Sequence, residues 1–299
     1  MEKPFILHML TAARHVSPFD VNMALDAGYD VTVPYTNVGL DDVASLTQDA
    51  IFSRGPKGAR RTGIYIGGRD IGVAADMLQA ARKAMVPPFE VSVFTDPSGA
   101  FTTAAALVAC VERQLRKGHG ASLEGQNVLV LGGTGPVGAV AAVLAAQSGA
   151  AVTIASRKLE HARAVADDLQ ARYGVSTTPA QSVADAPKAS LVAEPTVILA
   201  CGAPGVQLLG KSDLEAARRL LVVADVNAVP PAGVEGVGAM DDGVPIGSGS
   251  GKALGVGALA VGNVKYQTER SMLEDMRASD KALYLDFRDA LVSARKHAS

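Results

Sequence analysis

Apolar positions along this chain alternate between two textures. Short apolar runs of strand length are followed by longer stretches in which apolar residues recur every third or fourth position. Residues 5–10, 29–34, 62–67 and 90–94 read as strands. Residues 20–27, 41–48 and 70–85 read as helices, the first closed by Gly28. An Ala-rich helix over 102–117, ending at Gly118, comes next and could connect two lobes. From Asn127 the alternation resumes, with strands at 127–131, 151–155, 196–200 and 220–224 and helices at 136–148 and 159–173. The stretch from about 255 onward is glycine-rich and then helical. Strand and helix in rotation imply an α/β fold of two lobes, each a parallel sheet with flanking helices. Residues 1–103, completed by C-terminal helices in 256–299, are expected to form the first lobe, and residues 104–255 the second.

Composition narrows the functional classes. With 48% hydrophobic and 19% charged residues, the 299-residue chain has the makings of a substantial core. A formal net charge of -2 gives no electrostatic support to a nucleic-acid partner. Cys110 and Cys201 are far apart, with no CxxC and no Cys/His ligand spacing. Neither a disulfide framework nor a zinc site is expected, and no metal. The apolar run 5–10 is too short for a signal peptide, and 137–146 is about half a membrane span. A cytoplasmic protein with a small-molecule substrate and no membrane partner is expected.

The segment Gly133-Thr134-Gly135-Pro136-Val137-Gly138 contains G-x-G-x-x-G. Alone this pattern is weak, but here it follows a predicted strand and opens a predicted helix, the context dinucleotide binding requires. Gly133 is expected to make the tight turn, Gly135 to let backbone N–H groups approach a pyrophosphate, and Gly138 to let helix and strand pack closely. Pro136 suits the first helical turn, where its missing N–H leaves nothing unpaired. The helix N-terminus then offers N–H donors and partial positive charge to an anion. The second lobe is therefore expected to be Rossmann-like. The end of its second strand bears on cofactor choice. An acid there binds the ribose 2′-hydroxyl of NAD, whereas basic groups accept the 2′-phosphate of NADP. This chain has Ser156-Arg157-Lys158, which favours NADP, with NAD still compatible; the alternative is a solvated helix start. Ala200 and Asn227, near the ends of the next two strands, complete the expected cofactor-binding set.

No residue announces itself as a base. His8, His15, His119, His161 and His297 stand in no recognisable catalytic setting, and no Ser/His/Asp pattern is present. Polar residues beside glycine and proline turns are candidates: Asp20 after Ser17-Pro18, the run Thr95–Gly99, the run Asp225–Pro231, and Gly262-Asn263-Val264-Lys265. Each could equally be a cap or a turn, and Asp20 could simply start a helix.

These segments, with Ser45–Asp49, Ile51–Arg54, Pro87-Pro88-Phe89, Thr102–Ala105, Gly257–Gln267 and Leu285–Asp289, resemble methylene-tetrahydromethanopterin dehydrogenase of methylotrophic bacteria along almost the whole chain. The likeness is closest to the form that accepts NAD or NADP. That form typically lacks Ser-Arg-Lys after the second strand, where this chain looks more like the strictly NADP-dependent relative. The resemblance implies oxidation of methylene- to methenyl-tetrahydromethanopterin in one-carbon (formaldehyde) oxidation, tetrahydromethanopterin being the carrier. It also implies a homo-oligomer, a trimer by family. Asp20, Thr102 and Lys265 would lie at the pterin site between the lobes: Asp20 holding ring donors, Thr102 positioning substrate or nicotinamide, and Lys265 orienting the pterin. The chemistry fits the missing base, because a carbon between two nitrogens can lose hydride without losing a proton. Competing readings are a methylene-tetrahydrofolate dehydrogenase and a non-catalytic NADPH-sensing protein. A shikimate-type dehydrogenase would need a Lys/Asp acid–base pair, for which no motif is found.

Overall fold

The computed structural model describes residues 3–183 and 188–299. The chain divides into two compact units. One comprises the chain through Thr102 together with Tyr266–Ser293; the other comprises Thr103–Lys265 and Ala294–Ser299.

The first unit contains β1 (Ile6–Thr11), β2 (Val31–Tyr35), β3 (Thr62–Gly67) and β4 (Ser92–Thr95). In the sheet they run in the order β4-β3-β1-β2, all parallel. The chain returns at Tyr284–Leu285 to add a short parallel strand beside β4. β3 is buried along its whole length, as expected of a central parallel strand covered on both faces. Leu10, Ile64, Ile66 and Val93 from the sheet pack against Val43 and Ile51 of helix Val43–Phe52 and Met77 and Leu78 of helix Ile71–Ala84. That last helix starts where it does because the Asp70 carboxylate accepts the N–H groups of Gly72 at 2.8 Å and Val73 at 3.0 Å.

The second unit holds β5 (Asn127–Leu131), β6 (Ala151–Ser156), β7 (Thr177–Gln181), β8 (Val197–Ala200), β9 (Val222–Asp225), β10 (Asp242–Pro245) and β11 (Leu254–Val256). Its sheet order is β10-β11-β9-β8-β5-β6-β7, parallel except for the β10–β11 pair. Helix Pro136–Gln147 is buried from Gly138 through Ala145, and its small side chains allow it to lie close on the sheet.

Two expectations need correction. The helix that should stop at Gly118 runs from Ala100 to His119. Gly118 packs instead against Leu254, and the left-handed residue past the helix end is Gly120, at φ +60°. The edge strand β7 is marked by no apolar run in the sequence. It is polar and carries Pro179, a residue tolerated at a sheet edge.

Candidate functional site

In each unit the strand order reverses direction once, and a pocket opens at that point beyond the carboxyl ends of the strands. This is where open α/β sheets place their ligands.

In the second unit the reversal lies between β5 and β8. Register aligns Leu131 with Ala155 on one side and Ala200 on the other, so the loops after three strands emerge together. A pocket of about 720 Å³ is lined there by Gly132, Thr134, Gly135, Ser156, Arg157, Lys158 and Cys201 among others. The glycine roles differ from the expectation by one residue. The left-handed residue is Gly132, at φ +71°, and a Cβ there would come within 2.5 Å of the Cys201 carbonyl oxygen. Gly133 instead allows close approach: its N–H donates to the Ala155 carbonyl at 3.1 Å, and a Cβ would lie 2.9 Å from that of Ile154. A Cβ at Gly138 would lie 2.5 Å from the Gly132 carbonyl oxygen, so helix and loop meet there. Gly135 is the N-cap of helix Pro136–Gln147, with Pro136 and Val137 in its first turn. The cradle is thus one that side chains would fill, and it opens on a helix N-terminus. Such a site fits a pyrophosphate.

Ser156 ends β6, with the Thr134 hydroxyl 3.4 Å from its own. Arg157 and Lys158 follow, Lys158 as the N-cap of helix Leu159–Tyr173. His161, Ser182 and Lys188, which no motif marks, line the same pocket. The last two come from chain beyond an unforeseen strand. Ala200 is wholly buried, and its successors Cys201, Gly202 and Ala203 line the pocket in its place. Burial pushes the Cys201 thiol up to about 12, so it is unreactive. Asn227 is occupied by loop bonds. Its Oδ1 accepts the N–H groups of Gly205 at 3.1 Å and Val229 at 2.9 Å, and its Nδ2 donates to the Pro231 carbonyl at 2.8 Å. It holds two loops together and is not among the residues lining the pocket.

In the first unit the reversal lies between β1 and β3. A pocket of about 240 Å³ is lined by Leu10 and Thr11 from β1, Tyr65 and Gly67 from β3, and by His15, Asp20, Arg69 and Ser98. Asp20 sits in the first turn of helix Pro18–Asp26, where a carboxylate is favoured, and is only 5% exposed. Tyr65, fully buried, donates its hydroxyl to the Asp96 carbonyl at 3.1 Å, and feels the Asp20 carboxylate nearby. Burial, together with the Asp20, Asp96 and Glu269 carboxylates, raises its pKa well above the ordinary value. Tyr65 is therefore a neutral donor and not a base.

Thr102 is wholly buried, with its hydroxyl donated to Asp96 Oδ2 at 2.5 Å. Placed so, it holds Asp96. Lys265 is half-buried on helix Ala258–Ala278, one turn before the buried Glu269 on the same helix face. Tyr65 and Glu269 carried no local sequence signal. Each is one more residue in a strand or helix until the fold brings the Asp20 and Glu269 carboxylates to bear on Tyr65.

No helix among the described residues is long and apolar enough to cross a membrane. Residues 18–98 match the family described as methylene-tetrahydromethanopterin dehydrogenase, N-terminal. A relative from Methylorubrum extorquens named NAD(P)-dependent methylenetetrahydromethanopterin dehydrogenase is 47% identical over 286 residues, 95% of this chain and 96% of its own. Another from the same organism, named bifunctional protein MdtA, is 36% identical over 268 residues, 90% of each chain. Two solved structures share the fold alone. Quinate dehydrogenase from Corynebacterium glutamicum in complex with NAD is 13% identical at a TM-score of 0.53, covering 97% of this chain and 98% of that one. Shikimate 5-dehydrogenase from Listeria monocytogenes is 14% identical at 0.51, covering 90% and 91%. With two thirds of its length and more aligned at such identity to the first relative, the chain belongs to the methylene-tetrahydromethanopterin dehydrogenase family.

Proposed function

We propose that this protein oxidises methylene-tetrahydromethanopterin to methenyl-tetrahydromethanopterin with NAD(P)+, NADP being preferred. The observation that carries the reading is the 47% identity, over 95% of the chain, to a relative of that name. The pocket of the second unit fits the cofactor, with a glycine cradle and helix end for the pyrophosphate and Arg157 and Lys158 for a 2′-phosphate. Bound there, NAD(P)+ would supply a hydride acceptor for a carbon whose two neighbouring nitrogens can stabilise the resulting positive charge.

The protein's own residues then bind, orient and exclude water. Asp20 accepts hydrogen bonds from the pterin ring, beside the Tyr65 hydroxyl, which donates to the Asp96 carbonyl. Thr102 acts indirectly, by holding Asp96 at the start of helix Ala100–His119. Lys265 orients the pterin. No general base is required, and none of these groups is asked to serve as one. The enzyme works as a cytoplasmic homo-oligomer, a trimer by family likeness.

The test is turnover with methylene-tetrahydromethanopterin and methylene-tetrahydrofolate in parallel, each with NADP+ and NAD+. The reading expects the largest kcat/KM for the methanopterin with NADP+. A larger value with the folate supports the tetrahydrofolate enzyme instead. Nucleotide binding without turnover of either supports a sensor.

A further inference from the structure

Ser98 combines two features that a folding role alone does not explain. It takes a left-handed backbone, at φ +54° and ψ +28°, in the loop between β4 and helix Ala100–His119. That conformation carries a steric penalty for a residue with a Cβ and none for glycine. The Ser98 hydroxyl donates to the Gly68 carbonyl at 2.7 Å, in a bond open to solvent. Water competes for such a bond, so it contributes little to folding. A glycine would relieve the backbone, but it could not make the bond.

That bond joins two loops of one pocket wall in the first unit. Gly67, Gly68 and Arg69 lie at the end of β3 and beyond it, Ser98 follows β4, and all four line the pocket that Asp20 lines. The β3–β4 ladder ends where Ile66 lies opposite Thr95, and the Asp96 N–H still donates to the Ile66 carbonyl at 3.0 Å. Tyr65, one residue earlier, donates its hydroxyl to the Asp96 carbonyl at 3.1 Å. Past these bonds the wall continues through two consecutive glycines, the least restrained backbone a chain can have. Gly68 stands at φ +131°, and a Cβ there would meet nothing nearer than Thr11 Oγ1 at 4.0 Å. Packing does not fix Gly68, and the Ser98 hydroxyl does.

We propose that Ser98 is a positioning residue for the pterin, its hydroxyl holding Gly67–Arg69 in the shape that receives the substrate. The strained backbone aims that hydroxyl at Gly68. The inference rests on the reading that the pterin occupies this pocket. A wall held in place beforehand does not have to be ordered when the substrate binds. The advantage is the same for bound substrate and transition state, so it is read in KM and not in kcat. None of these residues lines the dinucleotide pocket, so the NADP KM is unaffected.

Two substitutions separate the hydroxyl from the backbone. Ser98→Gly and Ser98→Ala both remove the donor, but glycine alone relieves the left-handed conformation, so the glycine variant is expected to have the higher Tm. Both should raise the pterin KM about fivefold, the loss expected of one hydrogen bond, with kcat and the NADP KM within about twofold of wild type. Amide hydrogen exchange over residues 66–70 of the substrate-free protein should quicken in both. A pterin KM that follows Tm instead of the hydroxyl, an unchanged pterin KM, equal rises in both KM values, or unchanged exchange overturns the role. Asp20→Asn, measured alongside, tests the pocket itself. If it leaves the pterin KM at the wild-type value, the pterin lies elsewhere and the reading of the pocket fails. If it raises that KM and the Ser98 variants do not, the role of Ser98 alone is overturned.

Discussion

The Thr102 hydroxyl donates to Asp96 Oδ2 at 2.5 Å, with both residues fully buried. The other carboxylate oxygen of Asp96 takes the N–H groups of Phe101 at 2.8 Å and Thr102 at 3.2 Å, so the first turn of helix Ala100–His119 is pinned to the end of β4. Thr102→Val keeps the shape and removes the donor, leaving a buried carboxylate short of a bond. The expected cost is about 1.5–3 kcal/mol, read as a lower urea midpoint, with Thr102→Ser near wild type. A valine variant as stable as the wild type would remove the hydroxyl from this role.

Tyr65→Phe deletes the hydroxyl that donates to the Asp96 carbonyl beside Asp20, while leaving a buried ring of the same shape. The pterin KM is expected to rise roughly five- to thirtyfold, the equivalent of about 1–2 kcal/mol, with the NADP KM unchanged. Steady-state kinetics in both substrates checks the split, and equal rises in both would point to general damage.

Gly132 and Gly174 share a left-handed backbone, at φ +71° and +68°, but not their surroundings. A Cβ at Gly174 meets nothing within 4 Å, whereas one at Gly132 meets the Cys201 carbonyl oxygen at 2.5 Å. Gly174→Ala should cost about 1 kcal/mol from backbone conformation alone. Gly132→Ala should cost more than about 2 kcal/mol, because the loop must shift as well, and should abolish NADP binding. Denaturant titration with and without NADP separates the two, and a Gly132→Ala protein that still gains stability from NADP contradicts the cradle.

His8 is half-buried, its Nδ1 3.2 Å from the Tyr35 hydroxyl, and burial, helped by the charge on Arg54, lowers its pKa below the ordinary 6.5. The unfolded chain then binds more protons than the native one between the lowered folded pKa and 6.5. This contribution to stability is present above 6.5 and is lost as the pH falls through the folded value. Thermal unfolding across that window should show a fall on acidification that His8→Gln reduces. An unchanged slope in the variant would assign the fall to other groups.

Much of this was legible in the sequence because the signals were local. The loop at Gly132–Gly138 announces itself through glycine, proline and the strand before it, and β3 and helix Leu159–Tyr173 lie where their periodicity puts them. What local pattern cannot give is which of several adjacent glycines takes the left-handed backbone. At Gly132 the Cys201 carbonyl, supplied by the neighbouring strand, closes the space a side chain would need. Nor does local pattern give the bonds that engage Thr102, with Asp96, and Asn227, with Gly205 and Pro231. Tyr65, and Ser182 and Lys188 in the pocket of the second unit, carry no local signal, since the residues around them come from elements distant in sequence. Gly118 failed as a helix stop because packing on Leu254 outweighs its weak helix propensity.

The most direct measurement uses methylene-tetrahydromethanopterin deuterated at the methylene carbon, mixed with the enzyme and NADP+ for a single turnover. The account predicts one deuterium in the reduced nicotinamide, none exchanged with solvent, and methenyl-tetrahydromethanopterin in equal amount. Reduced cofactor without deuterium, or no reduction by a protein that binds NADP, would contradict it.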